Sequence, residues 1–226
     1  MYATLALLAP YLQTLMNYPV VTAGIVLAPR GAGLMLAALI CGRLIGKTSA
    51  RLLVGIGFAT GAYALYEMTS WTPDVSEWTM ISVGFLQGLS LGFLTIPINI
   101  ITFATLPSEL RIEAAGIYSL MRNLGSAIGI SVTGAMLEMN TQVNHAIIAG
   151  GMSPFNRAVQ GSRSWNFGST QGTTLLDQEI TRQAQIIAYI DDFKLMLVIA
   201  VMVLPLLLLT KPSPRATKPT RPRSTT

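Results

Sequence analysis

Six long apolar stretches alternate with polar links along this chain. A helix rises about 1.5 Å per residue and the hydrocarbon core of a bilayer is about 30 Å thick, so about 20 apolar residues are needed to cross it. We therefore expect an all-α integral membrane protein with six transmembrane helices. The predicted spans lie near residues 1–16, 20–42, 52–70, 79–102, 114–137 and 193–210.

The segments around these spans complete the predicted layout. Residues 1–137 hold the first five helices, and since residues 1–16 would reach only about 24 Å as a helix, we expect the chain to begin partway through its first span. Residues 138–192 are polar and predict a periplasmic or extracellular loop, with an amphipathic helix near Leu175–Tyr189. Residues 211–226 are basic and rich in Pro, Ser and Thr, which predicts a disordered cytoplasmic tail near anionic lipid head groups.

The basic residues of the short links fall on alternate sides of the predicted bundle. Links 17–19 and 71–78 carry no Lys or Arg. The links on the other side and the tail carry Arg43, Lys47, Arg51, Arg111, Lys211, Arg215, Lys218, Arg221 and Arg223. Because positively charged residues stay on the cytoplasmic side of a membrane, both ends of the chain are predicted to lie in the cytoplasm.

The composition excludes an ordinary soluble domain. The 226 residues are 51% hydrophobic and only 11% charged, whereas soluble domains are about 25% charged. The net charge of +5 includes the basic tail, which directly follows a span, so lipid is the expected partner and nucleic acid is not. Cys41 is the sole cysteine and His145 the sole histidine, so neither an intrachain disulfide nor a metal site is expected.

The fourth predicted span combines small and polar residues on one face. Gly84, Gly88 and Gly92 recur every four residues, which stacks them on one side of a helix where another backbone can approach closely. Gln87, Thr95 and Asn99 fall within about 120° of one another around the helix. Polar groups inside a membrane usually face a bundle interior or a wet cavity, so this face is predicted to pack closely and to line a substrate path. Helix packing is likewise predicted for Gly125 and Gly129 in the fifth span.

Two arginines within or near spans are further candidates for the substrate path. Arg30 lies roughly ten residues into the second span, where a cation is costly and often functional. The alternative is a structural arginine that bonds backbone carbonyls of a neighbouring helix. Arg122 lies nearer the cytoplasmic end of the fifth span, where an extended side chain can reach the membrane surface.

Hydrolase chemistry is the enzymatic alternative, and the pattern disfavours it. Gly88-Leu89-Ser90-Leu91-Gly92 matches the sequence of a nucleophile elbow. That chemistry requires a strand–turn–helix context and a base near the serine, whereas this stretch lies in a continuous apolar helix and His145 lies far away in the long loop. We therefore do not expect an enzyme, and no catalytic residue is predicted.

Several short strings occur together in a characteristic order. They are Tyr11-Leu12-Gln13, Asn17-Tyr18, Ala23-Gly24, Pro29-Arg30-Gly31, Gly42-Arg43-Leu44-Ile45, Leu106-Pro107, Arg122-Asn123-Leu124-Gly125 and Gly129. In this order and spacing, residues 1–210 resemble the C-terminal six-helix half of the major facilitator superfamily. The resemblance is to the 14-span drug:proton antiporters of the Emr/Qac multidrug efflux type, and Pro154-Phe155-Asn156 resembles the Emr branch.

The resemblance implies a multi-pass protein of the bacterial inner membrane that exports hydrophobic, drug-like compounds. It implies no bound cofactor, since the proton gradient drives the complete transporter. The implied partners are an N-terminal half of six to eight spans and a periplasmic adaptor protein. One departure is Gly46, which stands where the family often has an acid after Gly-Arg-Leu-x. That substitution argues against a charge-relay role for this link.

The resemblance implies that the proton-coupling carboxylates lie mainly in the N-terminal half, which we expect to be absent from this chain. We therefore predict that the chain is the C-terminal portion of an exporter and is inactive alone. The alternative is an orphan half with an assembly or structural role and no transport. An in-frame N-terminal half, or a frameshift, in the DNA upstream would favour the first interpretation.

Overall fold

The computed structural model describes residues 2–45, 47–72, 74–104, 106–152 and 169–209. Within those ranges the chain is helical apart from short turns and one isolated β-bridge, between Ile45 and Thr48. The helices are α1 (Tyr2–Pro10), α2 (Val20–Leu27), α3 (Pro29–Leu44), α4 (Ala50–Met68), α5 (Glu77–Ala104), α6 (Arg111–Gly151) and α7 (Thr170–Leu209). A π-helical turn, Tyr11–Leu15, continues α1, and a 3₁₀ turn, Ser108–Leu110, precedes α6. The all-α prediction is confirmed for the described part of the chain.

Two helical stretches of the described residues are both long and apolar enough to cross a membrane by themselves. They are Val20–Leu44, of 25 residues, and Glu77–Phe103, of 27 residues. The other predicted spans also lie on helices, but those helices contain more polar residues or are shorter. The count of six spans therefore remains a prediction.

The helix of the second span is interrupted at a single residue. Ala28 forms a turn between α2 and α3, and Pro29 occupies the first turn of α3. Proline has no backbone N–H to donate, so this position suits it. The interruption places Arg30 near the middle of the Val20–Leu44 stretch.

Glycines bring the backbones of α3 and α5 into direct contact. A Cβ atom on Gly88 would overlap the carbonyl oxygen of Arg30, and one on Gly33 would overlap the carbonyl oxygen of Phe85. A Cβ atom on Gly92 would overlap the side chain of Ala37. In lipid, where the hydrophobic effect does not drive helices together, close contact of this kind replaces it.

The fifth predicted span forms part of a helix that is much longer than a membrane is thick. Helices α6 and α7 have 41 and 40 residues, or about 60 Å each. They lie side by side, and His145 Nε2 approaches Asp177 Oδ1 at 3.1 Å near their joined ends. The described residues of the predicted 138–192 loop, 138–152 and 169–192, are therefore largely helical. Residues 153–168 and the predicted tail at 211–226 lie outside the described residues, as does Pro154-Phe155-Asn156.

The main hydrophobic core joins α1, α4 and α7. At one end it contains a cluster of aromatic rings, Tyr11, Trp71, Tyr189 and Phe193. The Tyr11 ring lies 5.3 Å from that of Tyr189 and 5.7 Å from that of Trp71. Helix α6 contributes little to this core, since Thr133 is the one residue that is buried among its described residues.

Candidate functional site

A buried arginine joins three helices in the middle of the described bundle. The Arg30 side chain, on α3, is only 7% exposed. Its Nη1 donates a hydrogen bond to Gln87 Oε1 on α5 at 2.8 Å, and its Nη2 donates one to Thr4 Oγ1 on α1 at 3.4 Å. The two bonds use side chains as acceptors, whereas the sequence-based alternative was a structural arginine bonded to backbone carbonyls.

Gln87 extends these contacts to a fourth helix. Its side chain is fully buried, and its Nε2 donates to the sulfur of Met68 on α4 at 2.8 Å. We call Thr4, Arg30, Gln87 and Met68 the Arg30 network. Every side chain of the network comes from a different helix, so the network fixes α1, α3, α4 and α5 relative to one another.

The glycine contacts explain why Arg30 can reach Gln87. Gly88 directly follows Gln87 and packs against the backbone of Arg30 itself. A larger residue at Gly88 would separate α3 from α5 and lengthen the 2.8 Å bond. The polar contact and the close backbone contact therefore depend on each other.

A second feature is an apolar cavity of about 330 Å³ between α1, α4, α6 and α7. Residues that line it include Phe58, Leu65, Gly129, Thr133, Met196 and Ala200. The Thr133 hydroxyl donates to the carbonyl oxygen of Gly129 within α6, so the lining presents almost no free polar group. Such a cavity suits an apolar molecule, and its volume falls in the range of about 300–1,000 Å³ that is typical of ligand sites.

The structure does not bring the other substrate-path candidates into the Arg30 network. Thr95 is half-buried and its hydroxyl donates to the carbonyl oxygen of Leu91 in the same helix. Asn99 is half-buried, about 18 Å along α5 from Gln87. Arg122 is exposed on α6.

The remaining glycine candidates differ in their surroundings. A Cβ atom on Gly84 would meet only the carbonyl oxygen of Val26, at an ordinary 3.9 Å. Gly125 and Gly129 have no heavy atom within 4 Å of the corresponding position, so no helix of the described residues packs closely against them. Gly129 lines the apolar cavity instead.

Ser90, the serine of the elbow-like sequence, lies in the interior of α5. It is fully buried, and its hydroxyl donates to the carbonyl oxygen of Gly57 on α4 at 2.7 Å. Its helix is continuous from Glu77 to Ala104. This setting lacks the strand–turn–helix geometry that a nucleophile elbow requires.

One buried acid was not recognised from the sequence. Asp192 on α7 is fully buried, and neither of its carboxylate oxygens has a hydrogen-bond partner among the described residues. The sequence pattern placed it at the end of the predicted extramembrane loop, 138–192. A signal was present, because Asp192 interrupts an apolar series at every fourth position of α7, namely Leu176, Ile180, Ala184, Ala188, Met196 and Ala200, which are all buried.

The two links that lack basic residues lie at one end of the bundle. The phenol of Tyr18, in the first link, hydrogen-bonds the carboxylate of Glu77 at the end of the other. Burial, together with the nearby negative charge of Glu77, raises the pKa of Tyr18 above its ordinary value. The two helices that each of these links joins therefore run in opposite directions.

Comparison with known proteins identifies the family. The profile of the Major Facilitator Superfamily matches residues 1–152. The fatty acid resistance protein FarB of Neisseria gonorrhoeae is 27% identical over 213 residues, covering 92% of this chain and 42% of FarB. The multidrug export protein EmrB of Haemophilus influenzae is 27% identical over 187 residues, covering 80% of this chain and 37% of EmrB.

The probable multidrug resistance protein EmrY of Escherichia coli is 25% identical over 213 residues, covering 92% of this chain and 42% of EmrY. The chain thus spans less than half the length of these relatives. The predicted resemblance to transporters of the Emr type is confirmed by these matches, and the family is one of transporters rather than enzymes. The chain belongs to the Major Facilitator Superfamily.

Proposed function

We propose that this chain is the C-terminal portion of a proton-driven multidrug efflux transporter that exports hydrophobic compounds. The observation that carries the proposal is the apolar cavity of about 330 Å³ between α1, α4, α6 and α7. A compound that buries apolar surface in this cavity gains about 25 cal/mol of binding free energy per Å². The cavity rejects strongly polar compounds, since it offers them almost no hydrogen-bond partner.

The proposed role of the Arg30 network is to hold α1 and α4, which line the cavity, together with α3 and α5 as one unit. Arg30 is too buried to meet a substrate directly, and two of its donors are engaged by Thr4 and Gln87. Alternating access in transporters of this kind is largely a rigid-body movement of one half against the other. A network that fixes four helices would keep this half rigid during that movement.

Arg122 marks the side of α6 on which a second half would pack. It is exposed on α6, eight residues beyond the predicted start of the fifth span at 114, or about 12 Å into the helix. Its guanidinium can extend to the membrane surface, and it can equally face a protein-lined interior. We propose that an N-terminal half of six to eight spans covers this side of α6, and that the chain is inactive without it.

The proposed location is the bacterial inner membrane, with both termini in the cytoplasm. The joined ends of α6 and α7 then extend on the periplasmic side. A periplasmic adaptor protein remains a proposed partner at that end.

Drug susceptibility in a host without its own pumps tests the proposal. Three proteins are compared at equal membrane abundance: this chain, an N-terminal half of the same transporter, and the two joined. We expect resistance to hydrophobic drugs only from the joined protein. If the joined protein folds, reaches the membrane and gives no resistance to any drug, the chain has the structural role without transport that was the alternative.

A further inference from the structure

Asp192 lies at a buried position of α7 where the neighbouring residues of the same series are apolar. It belongs to the every-fourth series of α7 that faces the core, between Ala188 and Met196. It is 0% exposed, and both carboxylate oxygens lack a partner among the described residues. Buried polar groups in folded proteins are nearly always hydrogen-bonded, so an exception of this kind calls for a physical explanation.

The neighbouring acid, Asp191, shows the ordinary arrangement. It is half-buried, and its Oδ1 accepts a hydrogen bond from Lys194 Nζ at 3.0 Å. Lys194 is therefore engaged by Asp191 on the outer side of α7. The two adjacent carboxyl groups therefore differ: Asp191 is paired with Lys194 near the surface, and Asp192 is buried without a hydrogen-bond partner among the described residues.

The groups around Asp192 offer it no positive charge in the described part of the chain. Next to it on α7 is Tyr189, and the rings of Tyr189 and Phe193 pack on Tyr11 of the π-helical turn at 5.3 and 6.4 Å. The Phe193 ring lies 6.1 Å from Trp71, in the link between α4 and α5.

Two acids on the helices that pack against α7 have hydrogen-bond partners of their own. Glu67 on α4 is half-buried and is hydrogen-bonded by Tyr63. Glu138 on α6 is exposed and accepts a hydrogen bond from Gln142. Burial, and after it the negative charge of Asp191, raises the pKa of Asp192 from its ordinary value to about 6.

We propose that Asp192 is a proton-binding site, whose carboxyl holds a proton while α7 packs against the aromatic cluster and releases it to water when that packing opens. Moving an unpaired carboxylate into an apolar interior costs so much free energy that the group takes up a proton instead. Release leaves a carboxylate, which requires water, and water reaches it only if α7 separates from Tyr11 and Trp71. Protonation and helix packing are therefore coupled.

This inference goes beyond the proposed function, in which the coupling carboxylates belong to the other half. It does not depend on transport, because the protonation of Asp192 is a property of this chain. A failure of the transport proposal and a failure of this one are thus separate results.

Infrared spectroscopy of the full chain in lipid nanodiscs tests the proposal. The stretch of a protonated carboxyl group is compared among the wild type, Asp192→Asn and the matched control Asp191→Asn. At pH 5, below the pKa of about 6 to which burial raises Asp192, we expect the band in the wild type and in Asp191→Asn, and its loss in Asp192→Asn. Absence of the band from the wild type, or its loss in Asp191→Asn alone, would overturn the proposal.

Tryptophan fluorescence tests the coupling to packing. Trp78→Phe and Trp165→Phe leave Trp71 as the reporter beside Phe193. Raising the pH should shift its emission to longer wavelength in step with the loss of the infrared band, and Asp192→Asn should abolish the shift. If Asp192→Asn does not fold, the infrared band and the Trp71 emission are both followed against pH in the Asp191→Asn chain. Midpoints at different pH values for the two signals would contradict the coupling.

Discussion

Arg30 on α3 and Gln87 on α5 are joined by a 2.8 Å hydrogen bond between side chains, in the middle of the described bundle. The residue after Gln87 is Gly88, whose lack of a side chain lets the two backbones touch at Arg30. The buried cation of Arg30 is therefore held by Gln87. Gly88, beside Gln87, lets α3 and α5 come close enough for this bond.

Replacing Gly88 by leucine should separate α3 from α5. The new side chain would overlap the backbone of Arg30, and forcing extra atoms into a packed site costs about 1–3 kcal/mol or more. We expect a clear fall in the yield of monodisperse protein after detergent extraction and a lower midpoint of thermal unfolding. Gly55→Leu is the matched control, because nothing lies within 4 Å of a Cβ atom there. Equal yields for the two variants would refute the close α3–α5 contact.

Removing one member of the Arg30–Gln87 pair should cost more than removing both. Gln87→Leu removes the acceptor of Arg30 Nη1, and a hydrogen bond to a charged group is worth about 1.5–3 kcal/mol. Arg30→Met combined with Gln87→Leu removes the charge together with its acceptor, so we expect the double variant to be more stable than Gln87→Leu. The midpoints of thermal unfolding of both single variants and the double variant give the coupling energy. Additive changes would show that the pair does not interact.

Filling the apolar cavity should reduce the export of hydrophobic compounds once the chain is joined to its N-terminal half. Ala200→Phe places a ring in the cavity lining, whereas Val201→Phe, at the exposed neighbouring position, is the control. We expect a several-fold loss of drug resistance from Ala200→Phe alone, at unchanged membrane abundance. Unchanged resistance in Ala200→Phe would place the substrate elsewhere.

Asn99→Ala is expected to change the range of exported drugs without affecting folding.

Reporter fusions test the orientation of the chain in the membrane. A reporter that is active only outside the cytoplasm is attached at Thr226 or inserted near Gly161. Because the cation-free links 17–19 and 71–78 lie at the same end as the long loop in the predicted topology, activity is expected from the Gly161 insertion and not from the Thr226 fusion. The reverse pattern would invert the topology.

The sequence predicted those parts of the fold that depend on local composition. The stretches at Val20–Leu44 and Glu77–Phe103 are long and apolar, so hydropathy alone located them. The glycine spacing in α5 indicated a close-packed face, and Gly88 and Gly92 do lie against α3. Hydropathy could not show that α6 continues to Gly151, because polar residues end a membrane span without ending a helix.

The polar contacts were harder to foresee, because they depend on tertiary structure. Nothing in the sequence around Thr4 indicates that it accepts a hydrogen bond from Arg30, 26 residues away. Asp192 is a different case, since its place in an apolar every-fourth series was visible. It was assigned to the loop because residues 138–192 as a whole are polar and mixed in charge.

We propose that this chain contributes one half of an exporter and does not transport alone. Proton-gradient-dependent dye export is measured in liposomes that contain the purified chain, in empty liposomes, and in liposomes with the chain joined to its N-terminal half. We expect export from the joined protein and none from the chain above the empty control. Gradient-dependent export by the chain alone would contradict this proposal.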